Sequence, residues 1–147
     1  MRILICDDEV RYIQPLRKCL EQYMTEHNIP SEITEAVAPQ KILLSKEVYD
    51  IAFLDIQMEN VDGLTLAKEL RQRNRKTALF FITNYEGYQD NAMDLQALRY
   101  FKKPFEPERL IAGLDKALEY IDGAYVDVFL YSGGVQQRVL VDEILYL

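Results

Sequence analysis

Four short runs of the chain, residues 3–6, 51–54, 79–82 and, with Arg99 inside it, 98–101, are apolar without alternation. Unbroken hydrophobicity of this length marks strands covered on both faces, as in a parallel sheet. Between these runs apolar residues recur at helical spacing: Val10, Ile13, Leu16, Leu20 and Tyr23, then Leu64, Ala67 and Leu70, and later Leu110, Leu114, Ala117, Leu118 and Ile121. Strand and helix in alternation predict an α/β fold. Residues 31–37 read as a weaker second strand. Pro39 and Pro107 each fit the first position of a helix, where no backbone donor is needed. Pro15 conflicts with the pattern, because a proline inside the first helix forfeits a hydrogen bond. That helix is therefore expected to start late or to bend.

After Ile121 the pattern changes. Asp122-Gly123 is a break, and residues 125–131 and 135–141 are β-rich runs joined by Ser132-Gly133-Gly134, which predicts a β-hairpin. Residues 142–147 end in apolar side chains without a cap or polar tail, so the native chain is expected to continue. A two-stranded hairpin is marginal alone, and its edges offer unpaired backbone groups. It is expected to pack against another chain or to fold back on the α/β domain.

Composition narrows the function classes. With 147 residues, 49% hydrophobic and 28% charged, the chain can bury a core without disulfides or structural metal. Cys6 and Cys19 lie in apolar stretches and form no Cys-x-x-Cys pair, which predicts reduced core thiols in a cytoplasmic protein. No leader is expected, since Met1 runs straight into a strand. No apolar run approaches the roughly 18 residues of a membrane span. A net charge of −7 argues against a nucleic-acid surface on this chain.

The candidate chemistry lies at the carboxyl ends of the predicted strands, where ligand sites of open parallel sheets form. Asp7-Asp8-Glu9 follows the first strand, Asp55 ends the third, Thr83 the fourth and Lys103 the fifth. Three converging carboxylates need a cation, and a hard ion such as Mg²⁺ takes carboxylates, backbone oxygen and phosphate. A hydroxyl and an ammonium facing them make a phosphoryl-binding site. An aspartate after a strand is most often only a turn or a cap; the conjunction at the ends of four strands sets these residues apart.

Residues 1–124 resemble a receiver domain of bacterial two-component response regulators. The matching pieces are Leu4-Ile5-Cys6-Asp7-Asp8-Glu9, Phe53-Leu54-Asp55-Ile56-Gln57-Met58 with Asp62-Gly63, Phe81-Ile82-Thr83, and Tyr100-Phe101-Lys102-Lys103-Pro104. The resemblance implies a flavodoxin-like, doubly wound five-stranded parallel sheet in the order 2-1-3-4-5. It implies Asp55 as phosphoacceptor for a sensor histidine kinase. Asp7, Asp8, Asp55 and the Gln57 carbonyl would surround Mg²⁺, Thr83 and Lys103 would bind phosphoryl oxygens, and Tyr100 would be the switch aromatic. It further implies a cis Lys103–Pro104 bond and a homodimer on phosphorylation, through the face of the fourth helix, fifth strand and fifth helix. Glu59 departs from the family's usual proline and adds negative charge beside the site, and Asn84 and Tyr85 occupy positions that modulate the lifetime of the phosphoryl group.

Residues 125–147 resemble the first hairpin and the start of the next element of a LytTR-type (LytR/AlgR family) DNA-binding domain. About a quarter of such a domain is present, and its single Arg138 stands against Asp127, Asp142 and Glu143. DNA contact is thus expected only through a full-length output domain that controls transcription.

The leading reading is a signalling switch rather than an enzyme, one that accelerates its own phosphorylation and dephosphorylation. Two alternatives stay open. A Mg²⁺-dependent phosphohydrolase of the haloacid dehalogenase type would want a second acid two residues past its nucleophile, whereas Asp7 is followed by Asp8-Glu9 and Asp55 by Ile56-Gln57, and no cap domain is in view. A receiver-like scaffold that is never phosphorylated is the other. His27, the sole histidine, reads as a solvated helix-end residue, and Arg71, Arg73, Arg75 and Lys76 as a solvated face and loop.

Overall fold

Three of the four apolar runs form the middle of a sheet, while the fourth, residues 98–101, falls in an edge strand and is not covered on both faces. In the computed structural model, β1 (Arg2–Cys6), β3 (Ile51–Leu54) and β4 (Ala78–Thr83) are flanked by the edge strands β2 (Glu32–Ala36) and β5 (Arg99–Lys102). All pair in parallel, in the order β2-β1-β3-β4-β5. Every residue of β3 and β4 is buried, whereas β2 and β5 keep exposed positions, as expected where only the middle of a sheet is covered on both faces. The structure describes residues 1–123 and the backbone of residues 125–130 and 135–140.

Successive side chains along each strand point to opposite faces, so the sheet feeds two cores. Ile3, Ile5, Phe53 and Phe80 face α1 (Val10–Glu26) and α5 (Pro107–Gly123). Leu4, Leu54, Leu79 and Phe81 face α2 (Pro39–Leu44), α3 (Gly63–Arg73) and α4 (Gln89–Asp94). Cys6 is buried in the second core. Cys19 is only half-buried on α1, which corrects its reading as a core thiol.

Three further differences from the sequence pattern have physical reasons. α1 begins at Val10 and runs through Pro15, so the late start does not occur. The ring forfeits one backbone hydrogen bond, while buried Ile13, Leu16 and Leu20 on either side hold the helix to the sheet. α4 was invisible to the spacing of apolar residues because Ala92 is its only buried residue. Arg71 and Arg73 are half-buried rather than solvated, and both donate to main-chain carbonyls.

β6 (Tyr125–Leu130) and β7 (Val135–Leu140) pair antiparallel, Tyr125 opposite Leu140 and Leu130 opposite Val135. The Ser132-Gly133-Gly134 turn, residues 141–147 and whatever covers this pair lie outside the described residues. Among the described residues no helix is long and apolar enough to cross a membrane.

Candidate functional site

The strand order reverses between β1 and β3: the chain leaves β1 for β2 on one side, then crosses back to β3 on the other. Such a switch point opens a crevice at the carboxyl ends of the two strands. Asp7 follows β1 and Asp55 follows β3, and the Asp55 N–H donates to the Cys6 carbonyl at 3.1 Å, which fixes the two loops side by side. Ligand oxygens of Asp7, Asp8 and Asp55 all lie within 4.8 Å of one another.

Lys103 enters from the end of β5, after a cis Lys103–Pro104 peptide. Its side chain is 1% exposed, and Nζ lies 2.7 Å from Asp7 Oδ2 and 2.8 Å from Asp55 Oδ2. A buried ammonium bridging two buried carboxylates is strongly held, because removing any one partner strands a charge away from water. Burial pulls the Lys103 ammonium down, yet its hydrogen bonds to Asp55 and Asp7 outweigh that and hold it above the usual lysine range. Burial pushes Asp7 above the usual carboxylate range, despite the opposing hydrogen bonds from Lys103 and the Glu9 N–H. Cys6, directly behind, is pushed up to about 12 by burial and then by the negative charge of Asp7, Asp8 and Asp55, so its thiol stays protonated.

The remaining carboxylate oxygens are oriented by the backbone. Asp7 Oδ1 accepts from the Glu9 N–H at 2.9 Å, and Asp55 Oδ1 from the Ile56 N–H at 2.7 Å. Asp8 Oδ2 accepts from the Glu59 N–H at 3.2 Å, a bond that proline at this position could not make. Among the described residues no basic side chain lies within 4 Å of Asp8. Asp8, Asp55, Gln57, Glu59 and Lys103 line one open cleft of about 340 Å³, with Asn84 and Tyr85 on its rim.

Thr83 and Tyr100 both meet the backbone of Tyr85, one at its N–H and the other at its carbonyl. Thr83 is buried at the end of β4, and its Oγ1 accepts from the Tyr85 N–H at 3.3 Å. The Tyr100 hydroxyl donates to the Tyr85 carbonyl, while its ring tilts against Phe81. Burial holds the Tyr100 phenol above its ordinary range, with the charge of Asp55 adding to it.

Three residues take roles that the sequence did not assign them. The Tyr12 ring lies 4.0 Å from Lys103 Nζ and Glu9 Oε2 at 3.8 Å, so the ammonium has a cation–π face and a third carboxylate. The acidic triplet was visible, but not that Glu9 turns toward β5. Gly63 opens α3 behind Asp62, whose side chain caps the helix by accepting from the Thr65 N–H at 2.7 Å. A Cβ on Gly63 would lie 1.8 Å from the Asp55 carbonyl oxygen, so the helix can pack against the site only as glycine. A glycine directly after a capping aspartate was the available signal.

Residues 3–115 match the family described as the response regulator receiver domain. The sensory transduction protein LytR of Streptococcus mutans serotype c is 35% identical over 119 residues, which are 80% of this chain and 47% of that protein. The chain thus spans about half the length of the curated relatives it matches. The response regulatory domain of mrkE from Klebsiella pneumoniae is similar at a TM-score of 0.73 and 27% identity, over 84% of this chain and 99% of that one. TrrA from Thermotoga maritima, a response regulator solved with Mg²⁺ and beryllofluoride, is similar at a TM-score of 0.60 and 28% identity, over 79% and 97%. With the five-stranded order, the acidic cluster at its switch point and this match over most of its length, the chain belongs to the response regulator receiver domain family.

Proposed function

We propose that Asp55 accepts a phosphoryl group from the phosphohistidine of a sensor kinase and that the resulting acyl phosphate switches the domain between two conformations. The observation that carries this reading is the buried Lys103 ammonium bridging Asp7 and Asp55 beside Asp8. In the transfer, a carboxylate oxygen of Asp55 forms the new P–O bond as the P–N bond to the kinase imidazole breaks, and the imidazole keeps the electron pair and takes up a proton. Hydrolysis later exchanges the acyl phosphate for carboxylate and inorganic phosphate. The domain accelerates both steps on itself, and this is the extent of its catalysis.

The donor set fits Mg²⁺, a hard ion for oxygen ligands. Asp7, Asp8, Asp55 and the Gln57 carbonyl would hold it, and Asp8, with no cationic partner among the described residues, supports the fit. TrrA, solved with Mg²⁺ and beryllofluoride, supports it as well. Bound there, the ion supplies positive charge to the transferring phosphoryl oxygens. Lys103, already 2.8 Å from Asp55, donates to one of those oxygens and cancels part of the charge that develops on them. The Thr83 hydroxyl accepts from Tyr85 and keeps its hydrogen for another.

The switch follows from the backbone of Tyr85, whose N–H meets Thr83 and whose carbonyl meets Tyr100. A phosphoryl group adds about 1.5 to 2 negative charges at neutral pH, and Thr83 moves toward it. The Tyr85 backbone follows, Tyr100 loses its acceptor and turns inward, and the face of α4, β5 and α5 changes. That face mediates a phosphorylation-dependent homodimer. Residues 125–147 begin a LytTR-type output domain, and DNA binding and transcriptional control reside in its full-length form. The protein works in the cytoplasm.

Incubation with acetyl phosphate and Mg²⁺, followed by intact mass, tests the reading. One phosphoryl adduct is expected, lost in Asp55→Asn, whose isosteric amide keeps the packing but not the nucleophile. Steady turnover of phosphomonoesters would instead favour a phosphohydrolase, and no adduct at all a scaffold.

A further inference from the structure

α4 ends in a way its own sequence does not explain. The Ala97 N–H donates to the Ala92 carbonyl at 3.0 Å and the Gln96 N–H to the Met93 carbonyl at 2.9 Å, a closure that places Gln96 at φ 58°. α1 closes with the same pair of bonds, Ile29 to Met24 and Asn28 to Thr25, with Asn28 at φ 54°. Asparagine is tolerated in the left-handed region because its short amide can bond locally; glutamine has no such advantage. α4 is also six residues long and buries one side chain. Something outside the helix secures its end.

Arg71 of α3 does so. Nη2 donates to the Leu95 carbonyl at 3.0 Å and the Gln96 carbonyl at 3.3 Å, and Nε to the Leu95 carbonyl at 3.2 Å. Nη1 donates to the Thr77 carbonyl at 2.6 Å and the Arg75 carbonyl at 2.8 Å. Among the described residues no carboxylate lies within 4 Å of this guanidinium, so its charge is directed at main-chain oxygens and at the Tyr120 hydroxyl. The Arg75 carbonyl also accepts from the Tyr120 hydroxyl, at 3.3 Å, in the closing turns of α5. One carbonyl is thus shared between the residue that clamps the end of α4 and the end of the helix that leads to residues 125–140. The other end of α4 is loose by comparison: Tyr88 offers no side-chain cap, and residues 84–87 are exposed.

We propose that Arg71 is a positioning residue that makes the carboxyl end of α4 a pivot and couples the tilt of that helix, through the Arg75 carbonyl and Tyr120, to the last turn of α5. The inference rests on the reading of Asp55 as the phosphorylated residue of a switch. Movement begun at Thr83 and Tyr85 displaces the amino end of α4. The Leu95 and Gln96 carbonyls rotate with the helix, the guanidinium follows them, and its share of the Arg75 carbonyl changes against that of Tyr120. Arg73 provides the comparison. It clamps the end of α2 in the same manner, donating to the Ile42 and Leu43 carbonyls at 3.1 and 3.0 Å, but its other partners lie at Glu47 and Glu69 and not on α5.

The test uses amide NMR of the 147-residue chain with and without Mg²⁺ and beryllofluoride. In the unsubstituted protein the amides of residues 83–88 and those of residues 120–122 should both shift. In Arg71→Ala the first group should still respond, while the response of the second falls at least about twofold. Tyr120→Phe, which removes one hydroxyl, should reproduce that loss without disturbing Leu95 or Gln96, and it carries the test if Arg71→Ala does not fold. Arg73→Ala should leave both groups responsive. A full response at residues 120–122 in both Arg71→Ala and Tyr120→Phe, or an equal loss in Arg73→Ala, overturns the inference. A shift at residues 83–88 with none at 120–122 in the unsubstituted protein overturns it too. Silence in both groups, with no adduct by mass, overturns instead the phosphorylation reading on which it stands.

Discussion

The face of the sheet covered by α1 and α5 carries two helices of 17 residues each, whereas the opposite face carries α2, α3 and α4, of 6, 11 and 6 residues. α1 alone buries Ile13, Leu16, Leu20, Tyr23 and Met24, and α4 buries only Ala92. Helices below about 12 to 15 residues are marginal in water by themselves. The second layer therefore takes its stability from outside its short helices, from the capped and buried α3 and its two arginine clamps. The lesson is a division of labour: one layer is fixed by apolar burial, and the other is held by polar contacts to main-chain oxygen that can be remade.

The largest effect should come where the second layer touches the site. Gly63→Ala places a methyl group into the Asp55 carbonyl, and α3 or the loop before it must move. A loss of roughly 3 kcal/mol or more is expected in urea unfolding, at the upper end of overpacking effects. Unchanged stability would mean that α3 is as adjustable as its short neighbours. Next in size, Leu114→Ala in the first layer should cost about 2 to 5 kcal/mol. Met93→Ala, on the 70% exposed α4 residue, should stay within about 0.5 kcal/mol. Similar losses for the two would break the comparison.

Hydrogen exchange sharpens it further. Amides of α2 and α4 should exchange through local openings well below the global unfolding free energy, and the middle of α1 and α5 only near it. Uniform protection across both layers would contradict the division. A pH dependence is also expected. Burial, and then the hydrogen bond to Glu47, push the Tyr49 phenol up to about 12. The folded state therefore favours the neutral phenol. Its contribution is complete below about pH 10, where the unfolded tyrosine titrates, and disappears as pH rises toward 12. Tyr49→Phe should lower stability by about 1 kcal/mol at neutral pH and flatten the fall above pH 10.

Much of the first layer and of the sheet was legible in the sequence because burial leaves a periodic signature. Buried β3, and β4 up to Thr83, are apolar throughout, and the anchors of α1 and α5 recur on one stripe. The acidic and basic residues at the strand ends were legible for a different reason: a parallel sheet brings the carboxyl ends of its strands to one edge, so order along the chain implies convergence in space. What escaped depends on contacts that leave no period. α4 has one buried residue and no stripe. Arg71 and Arg73 look solvated in a basic run, because nothing in the spacing says that main-chain carbonyls of other helices await them. Tyr12 faces Lys103 only because α1 begins immediately beyond the acidic loop, a matter of three-dimensional placement.

The clamp on α4 bears on how this domain can diversify. A helix whose termination is decided by a guanidinium on another element does not need a strong stop signal, high helical propensity or a deep apolar stripe of its own. Gln89, Asp90, Asn91, Met93 and Asp94 are all exposed and are relieved of those duties. Substitutions on this surface can therefore change its charge and shape while the contacts of Arg71 with the Leu95 and Gln96 carbonyls stay in place.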